Sequence, residues 1–471
     1  MIAFRQLMRF GLLAVPTLLF VTRETFAHAS DRGHVLLLPT GHYLVGGALA
    51  VLASFVVLVF LPASRLHQIL RKGRLLWSAF SNGRAVASTA SFCLLVLLLC
   101  AGWYGSRDPL TNPLPLTFWG LIWVGLVILQ GFVGNIWSWI NPWYGPWHIV
   151  RHFAGGDFNA RLSWPRALST WPAVLGLAAF AWFELVYPAP DDPSRLATAI
   201  ASYWLITFLA MVLFGYERWS RRGEFLSVFL AIIARLSLVR VRGHKLVVHL
   251  PAARLINAPR LPASGVVFLL LALSSVTFDG LRHTFVWMQM IGANPLEFPG
   301  RSAVITETTV GLAIAFALLT IAFIGTVTLG HIASGTVRPL KQAVSPLVWT
   351  IVPISFAYHV AHYLPSLLID GQYALVALSD PFARGADLLG MSGYHVQAAL
   401  LSSSGSAWML WNVQALTIVA GHILAVVAAH IAAWRIYGDG RAAIITQLPL
   451  VALMIGYTVI GLWLLSTPTA M

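Results

Sequence analysis

Charge is scarce in this sequence: only 10% of its 471 residues are Asp, Glu, Lys or Arg, against about 25% in soluble domains. That deficit excludes an ordinary water-soluble enzyme, a disordered tail and a nucleic-acid module. Cysteine is scarcer still. Cys93 and Cys100 stand about 10 Å apart along a helix axis, too far for a mutual disulfide, and read as lipid-facing or packing residues. Neither a Walker phosphate loop nor a Rossmann glycine fingerprint is present, which disfavours ATP-driven transport and nicotinamide chemistry. Solenoid repeats and low-complexity runs are also missing.

Apolar residues fill the space: 58% of the chain is hydrophobic, and its mean hydropathy is +0.78. The class that remains is a polytopic membrane protein. Residues 1–29 resemble an export signal, with Arg5 and Arg9 ahead of the short apolar run Phe10 to Val21 and small-residue cleavage sites after Ala27 or Ala29. Cleavage after Ala27 would leave His28 at the mature N-terminus, where its α-amine and Nδ1 form a chelate that copper favours; cleavage after Ala29 removes it. Ten apolar segments follow, at about 43–61, 85–104, 116–139, 171–188, 197–216, 263–279, 303–330, 344–369, 405–434 and 445–465. Each is long enough to cross the hydrocarbon as a helix, which satisfies its own backbone groups. The fold class is therefore all-α: one helix-bundle membrane domain over residues 30–471, with ten transmembrane helices.

The basic residues orient it. Arg65, Arg71, Lys72, Arg74 and Arg84, then Arg151, Arg161 and Arg166, the run Arg218 to Arg260, Arg338 with Lys341, and Arg435 with Arg441 all fall on one side, while Arg32, Arg107, Arg195, Arg282, Arg301 and Arg384 fall on the other. By the positive-inside rule the basic side is cytoplasmic, and both mature ends face the periplasm of a bacterial inner membrane. The formal net charge of +14 is thus mainly a topology signal. The largest cytoplasmic insertion, 217–262, contains the apolar stretch Phe225 to Ile233, expected as an interfacial helix. Leu236-Ser-Leu-Val-Arg-Val and Leu246-Val-Val-His-Leu flank Arg242-Gly-His-Lys as a β-hairpin. His244 and His249 there read as surface residues.

Ionisable residues inside the membrane carry the functional argument, because charge there is costly and faces a cavity or a partner. Tyr358-His-Val-Ala-His-Tyr363 sets His359 and His362 at i and i+3 on one face of the eighth helix. His422 falls at similar depth on the ninth helix, and Glu184 near the outer end of the fourth is level with His362. If the fourth, eighth and ninth helices touch, Glu184, His359, His362 and His422 form a metal-ligand set of imidazoles and a carboxylate. Asp279, Asp380 and Glu307 adjoin outer helix ends; Asp191 and Asp192 read as turn or cap residues. His331 and His430, near inner ends, read as cross-helix hydrogen-bonding groups, and Tyr358 and Tyr363 as interface aromatics.

Ser30-Asp-Arg-Gly-His-Val-Leu-Leu-Leu-Pro-Thr40, Asn141-Pro-Trp143, Phe183-Glu-Leu-Val-Tyr-Pro188, Glu217-Arg-Trp-Ser-Arg-Arg-Gly223 with Phe225-Leu-Ser-Val-Phe229, Thr277-Phe-Asp-Gly280, Ala361-His-Tyr363, Ser379-Asp-Pro381 and Gly421-His422 with His430 occur in an order that resembles the bacterial polytopic membrane proteins called fenitrothion hydrolase. The resemblance spans nearly the whole mature chain. It implies a phosphotriester-type hydrolase in the inner membrane; His362 matches its motif, whereas His359 departs from it. Such chemistry usually needs a metal that acidifies water and polarises the phosphoryl group. The ligand set above would hold a divalent metal, with Asp279 or Asp380 as general base and a hydrophobic triester entering from the lipid. A second expectation is transport or handling of copper or another metal ion, using His28, His34, His42 and a histidine file across the eighth and ninth helices. A weaker third is b-type haem, pairing His359 or His362 with His422, or His331 with His430.

Overall fold

A computed structural model describes residues 40–70, 73–77, 83–153, 161–242, 245–294, 297, 300–336, 339–397, 403–438 and 440–467. Residues 1–39, which include the expected signal segment, His28 and His34, lie outside the described residues. Among those described, ten helices are long and apolar enough to cross a membrane: Thr40–Val59, Arg84–Tyr104, Pro113–Val133, Arg166–Leu185, Pro193–Phe214, Ala263–Arg282, Arg301–Ala333, Lys341–Ser379, Gly405–Tyr437 and Gly440–Ser466. These are numbered as spans one to ten. Each overlaps an apolar segment of the sequence, because twenty apolar residues can satisfy their backbone only as a helix. The ends moved where breakers sit. The third span stops at Val133 before Gly134, whose φ is 119°, and only a short helix, Trp137–Ile140, follows. The eighth runs ten residues past its expected end, through Pro365 to Ser379.

Two spans form the interior. The sixth and eighth are 78% and 83% buried, against 22% for the first, fifth and seventh, which are therefore peripheral. The eighth packs on the third, sixth and ninth; the tenth packs on the first, seventh and ninth; the fourth packs on the sixth. Small residues set the closest approaches. A Cβ at Gly421 would meet Ala357 Cβ and stand 2.7 Å from the Pro353 carbonyl, and one at Gly330 would strike the Thr446 carbonyl.

The expected hairpin is present and is wider than expected. Strands β2 (Val239–Arg242) and β3 (Lys245–His249) pair antiparallel, with Val239 opposite Val248. The loop after the first span adds strand β1 (Gly73–Trp77), giving the order β1-β3-β2 with Gly73 opposite His249. A lone hairpin is marginal, and a third strand supplies the missing ladder. The sheet marks one side of the bundle, since it joins the loops after the first and fifth spans. The hairpin turn with His244 lies outside the described residues.

The stretch expected at the membrane interface goes elsewhere. Helix Phe225–Ile233 buries Phe225, Leu226, Phe229, Leu230, Ile232 and Ile233 against the third and fourth spans, with Phe229 5.4 Å from the Trp123 ring and Phe225 5.1 Å from Phe180. It is apolar on too many faces to float on a polar surface, so the bundle covers it. Glu224 starts it, its carboxylate accepting from the Leu226 and Ser227 backbone N–H groups.

Candidate metal centre

At the end of the bundle away from the sheet, the sixth and eighth spans bring Asp279 and His362 together. His362 Nε2 donates to Asp279 Oδ2 at 2.8 Å, and Arg282 Nε donates to Oδ1 at 2.8 Å. The ion pair is internal: the Asp279 and Arg282 side chains are 4% and 8% exposed, while His362 and His283 are 28% and 26% exposed. The carboxylate is the closed end of the site and the imidazoles form its accessible mouth. His283 follows Asp279 by one helical turn, and its Nδ1 donates to the Asp279 main-chain carbonyl at 2.9 Å. That bond fixes the tautomer and leaves Nε2 with a free lone pair. Ligand atoms of Asp279, His283 and His362 all lie within 4.8 Å of one another.

Tyr363 links this group to Glu184. Its hydroxyl stands 2.7 Å from Asp279 Oδ2 and 2.9 Å from Glu184 Oε1, and Trp123 Nε1 donates to the same Oε1 at 2.7 Å. The Glu184 and Tyr187 carbonyls in turn accept from Arg301 Nη1 at 2.7 and 3.5 Å. Two carboxylates and two guanidiniums thus share one small region, with the phenol as their bridge.

A proline sets the local shape of the eighth span. Pro365 has no N–H, so the carbonyl of Ala361, four residues back, lacks its helical donor. Gln414 of the ninth span fills the vacancy, its Nε2 donating to the Ala361 carbonyl at 2.5 Å. Membrane helices tolerate proline only where such a group is satisfied again. Here the repair lies beside His362 and Tyr363 and holds the turn that aims them.

The sequence expected one ligand set between the fourth, eighth and ninth spans. The structure gathers Glu184, Asp279 and His362 between the fourth, sixth and eighth, and leaves His422 of the ninth outside the group. His359 is buried and donates from Nε2 to the Trp123 carbonyl at 2.9 Å, in the π-helical stretch Leu116–Leu126 of the third span. It flanks the site through ring contact with Tyr363 at 4.8 Å. His422 donates from Nδ1 to the Ile418 carbonyl at 2.9 Å and faces Tyr358 and Tyr457. Asp380 is held by its own loop, accepting from the backbone N–H groups of Arg384 and Gly385, outside the converging group. Burial and the adjacent Arg282 pull the His283 imidazole down to about 4. It is therefore neutral at pH 7, the form that ligates metal.

Reading residues singly overlooked His283, although Asp279-Gly-Leu-Arg-His283 places a carboxylate and an imidazole at i and i+4 on one face. Tyr358 and Tyr363, expected as interface aromatics, are hydrogen-bonding groups: Tyr358 is buried and donates to the Tyr457 carbonyl, and Tyr363 is half-buried between the two carboxylates. The donor set, two imidazoles and one carboxylate on a partly open site, fits a divalent ion with positions left for substrate. Searched against protein-family models, curated proteins and solved structures, the chain finds no match.

Proposed function

We propose that this chain is a multi-pass inner-membrane enzyme that binds a divalent metal through Asp279, His283 and His362 and hydrolyses a phosphotriester-type substrate on its periplasmic side. The observation that carries the metal reading is the convergence of those three ligand atoms within 4.8 Å. The hydrolase reading adds the sequence resemblance and the polar surroundings. A bound divalent ion would supply Lewis acidity to the phosphoryl oxygen and acidify water. The chain's own groups do the rest. Arg282 holds the Asp279 carboxylate in place, the His283 tautomer is set by its bond to the Asp279 carbonyl, and Tyr363 couples Asp279 to Glu184. Glu184 is the carboxylate outside the ligand group, with Oε1 accepting from Trp123 and Tyr363, and is placed to act as general base. Asp279, assigned as a base from sequence, serves here as a ligand.

His422 of the ninth span faces Tyr358 and Tyr457 and lies outside the proposed ligand group. The test is full-length protein purified in detergent, with bound metal measured by elemental mass spectrometry and turnover of an aryl dialkyl phosphate followed by phenol release. One equivalent of zinc, manganese or cobalt, lost together with turnover in His362→Ala, supports the proposal. Metal without turnover refutes the hydrolase and favours metal handling; no metal refutes both.

A further inference from the structure

A cavity of about 150 Å³ lies at the opposite end of the bundle, on the sheet side. It opens between the eighth and ninth spans and the segment before the sixth, and Arg260, Arg435, Gln342 and Trp349 are among its lining residues. It is below the usual size of a drug-like ligand site. A compact polar group fits, and a whole cofactor does not.

The described side chains around it are strongly basic. Among the described residues no carboxylate pairs with Arg260 or Arg435, nor with nearby Arg235, Arg240 and Arg254. Of the sheet-side carboxylates among the described residues, Glu217 meets Arg84 and Arg221, and Glu224 takes Tyr203 and two backbone N–H groups. Arg235 lies 5.0 Å from the ring of the lining residue Trp349, whose Nε1 is tied to the Pro259 carbonyl. Burial and the neighbouring Arg240 and Arg235 bring Arg254 down to about 10, so it remains a cation at neutral pH. Arg235, Arg240 and Arg254 crowd one another, and among the described residues no carboxylate offsets them.

We infer that this cavity binds the phosphate of an anionic lipid headgroup, gripped at its rim by Arg260 and Arg435. Guanidinium forks match phosphate oxygens bidentately, and basic pockets between membrane helices collect such headgroups. The apolar part of the lining, including Leu255, Ala428, Ala432 and Ile436, suits the glycerol and first methylenes of the lipid. Inorganic phosphate shares the recognised chemistry but not that wall.

The test uses the full-length, delipidated protein and native mass spectrometry with phosphatidylglycerol, phosphatidylcholine and inorganic phosphate as probes. We expect one retained phosphatidylglycerol per chain, weakened at least tenfold in Arg260→Gln/Arg435→Gln and unchanged in Arg65→Gln, an exposed arginine on the same side. Because Arg435 also donates to the Ile256 carbonyl, Arg260→Gln alone, with a severalfold loss, keeps the test open if the double variant fails to fold. Inorganic phosphate binding as tightly as the lipid would reassign the source to a soluble anion and overturn the lipid assignment. Equal retention of phosphatidylcholine, undiminished binding in the variants, or an equal loss in Arg65→Gln would overturn the site.

Discussion

Gln414 and Ala361 sit on different spans, and the side-chain amide of one completes the backbone of the other at 2.5 Å. The bond exists because Pro365 removes the N–H that would have served Ala361, and it stands one residue from His362. Gln414→Leu leaves a buried carbonyl unsatisfied, a loss of about 1–3 kcal/mol. Thermal unfolding in detergent should show the drop, and metal content per folded chain should fall with it if this turn aims His362. An unchanged melting temperature would mean that water replaces the amide.

Asp279 and Arg282 form a nearly closed ion pair, so the two ways of removing the carboxylate should differ. Asp279→Ala abandons a buried guanidinium and should cost about 3–5 kcal/mol. Asp279→Asn keeps an acceptor for Arg282 and should cost less, while still abolishing metal binding. Paired melting curves and elemental analysis separate the structural from the ligand role.

The histidines should divide into two classes. His283→Ala and His362→Ala each remove a ligand and should reduce bound metal to background. His422→Ala should retain a full equivalent, because its imidazole is turned to Ile418, Tyr358 and Tyr457. Loss of metal in His422→Ala with normal retention in His283→Ala would sink the assignment of the centre to the sixth and eighth spans.

Gly421 and Gly325 make a matched pair for packing. Alanine at Gly421 drives a methyl into Ala357 and the Pro353 carbonyl and should destabilise by about 1–3 kcal/mol. Gly325 has nothing within 4 Å of an added Cβ, and alanine there should be neutral or stabilising by up to about 1 kcal/mol. Melting temperatures of both variants, measured in the same detergent, check the contrast.

Glu224 gives a pH dependence outside the spans. Burial pushes its carboxyl above the ordinary 4.5, with the bonds from Ser227, Tyr203 and Leu226 pulling the other way. The folded state therefore holds the proton more tightly than the unfolded one. Its stabilising contribution is present in full below about 4.5 and is lost as pH rises through the folded value. Glu224→Gln cannot titrate and should flatten the fall of melting temperature with rising pH; parallel curves for both proteins would refute this.

The sequence by itself determined the ten spans, because hydropathy and backbone satisfaction are local properties of each segment. It also exposed the chemistry-bearing residues Glu184, Asp279 and His362, since ionisable groups stand out against an apolar background. What it could not determine was which of them meet. His359 and His362 share a helix face, yet one bonds the Trp123 carbonyl of the third span and the other the Asp279 carboxylate of the sixth. His422 of the ninth faces Tyr358 of the eighth and Tyr457 of the tenth. Rotation and neighbour choice follow from close contacts such as Gly421 on Pro353 and Gly330 on Thr446, and from the Gln414 repair of Ala361. These are long-range packing relations with no period in the chain, and only the tertiary structure decided them. Lipid matches every apolar face about equally well, so helices are selected by shape and by polar pairing rather than by hydrophobicity.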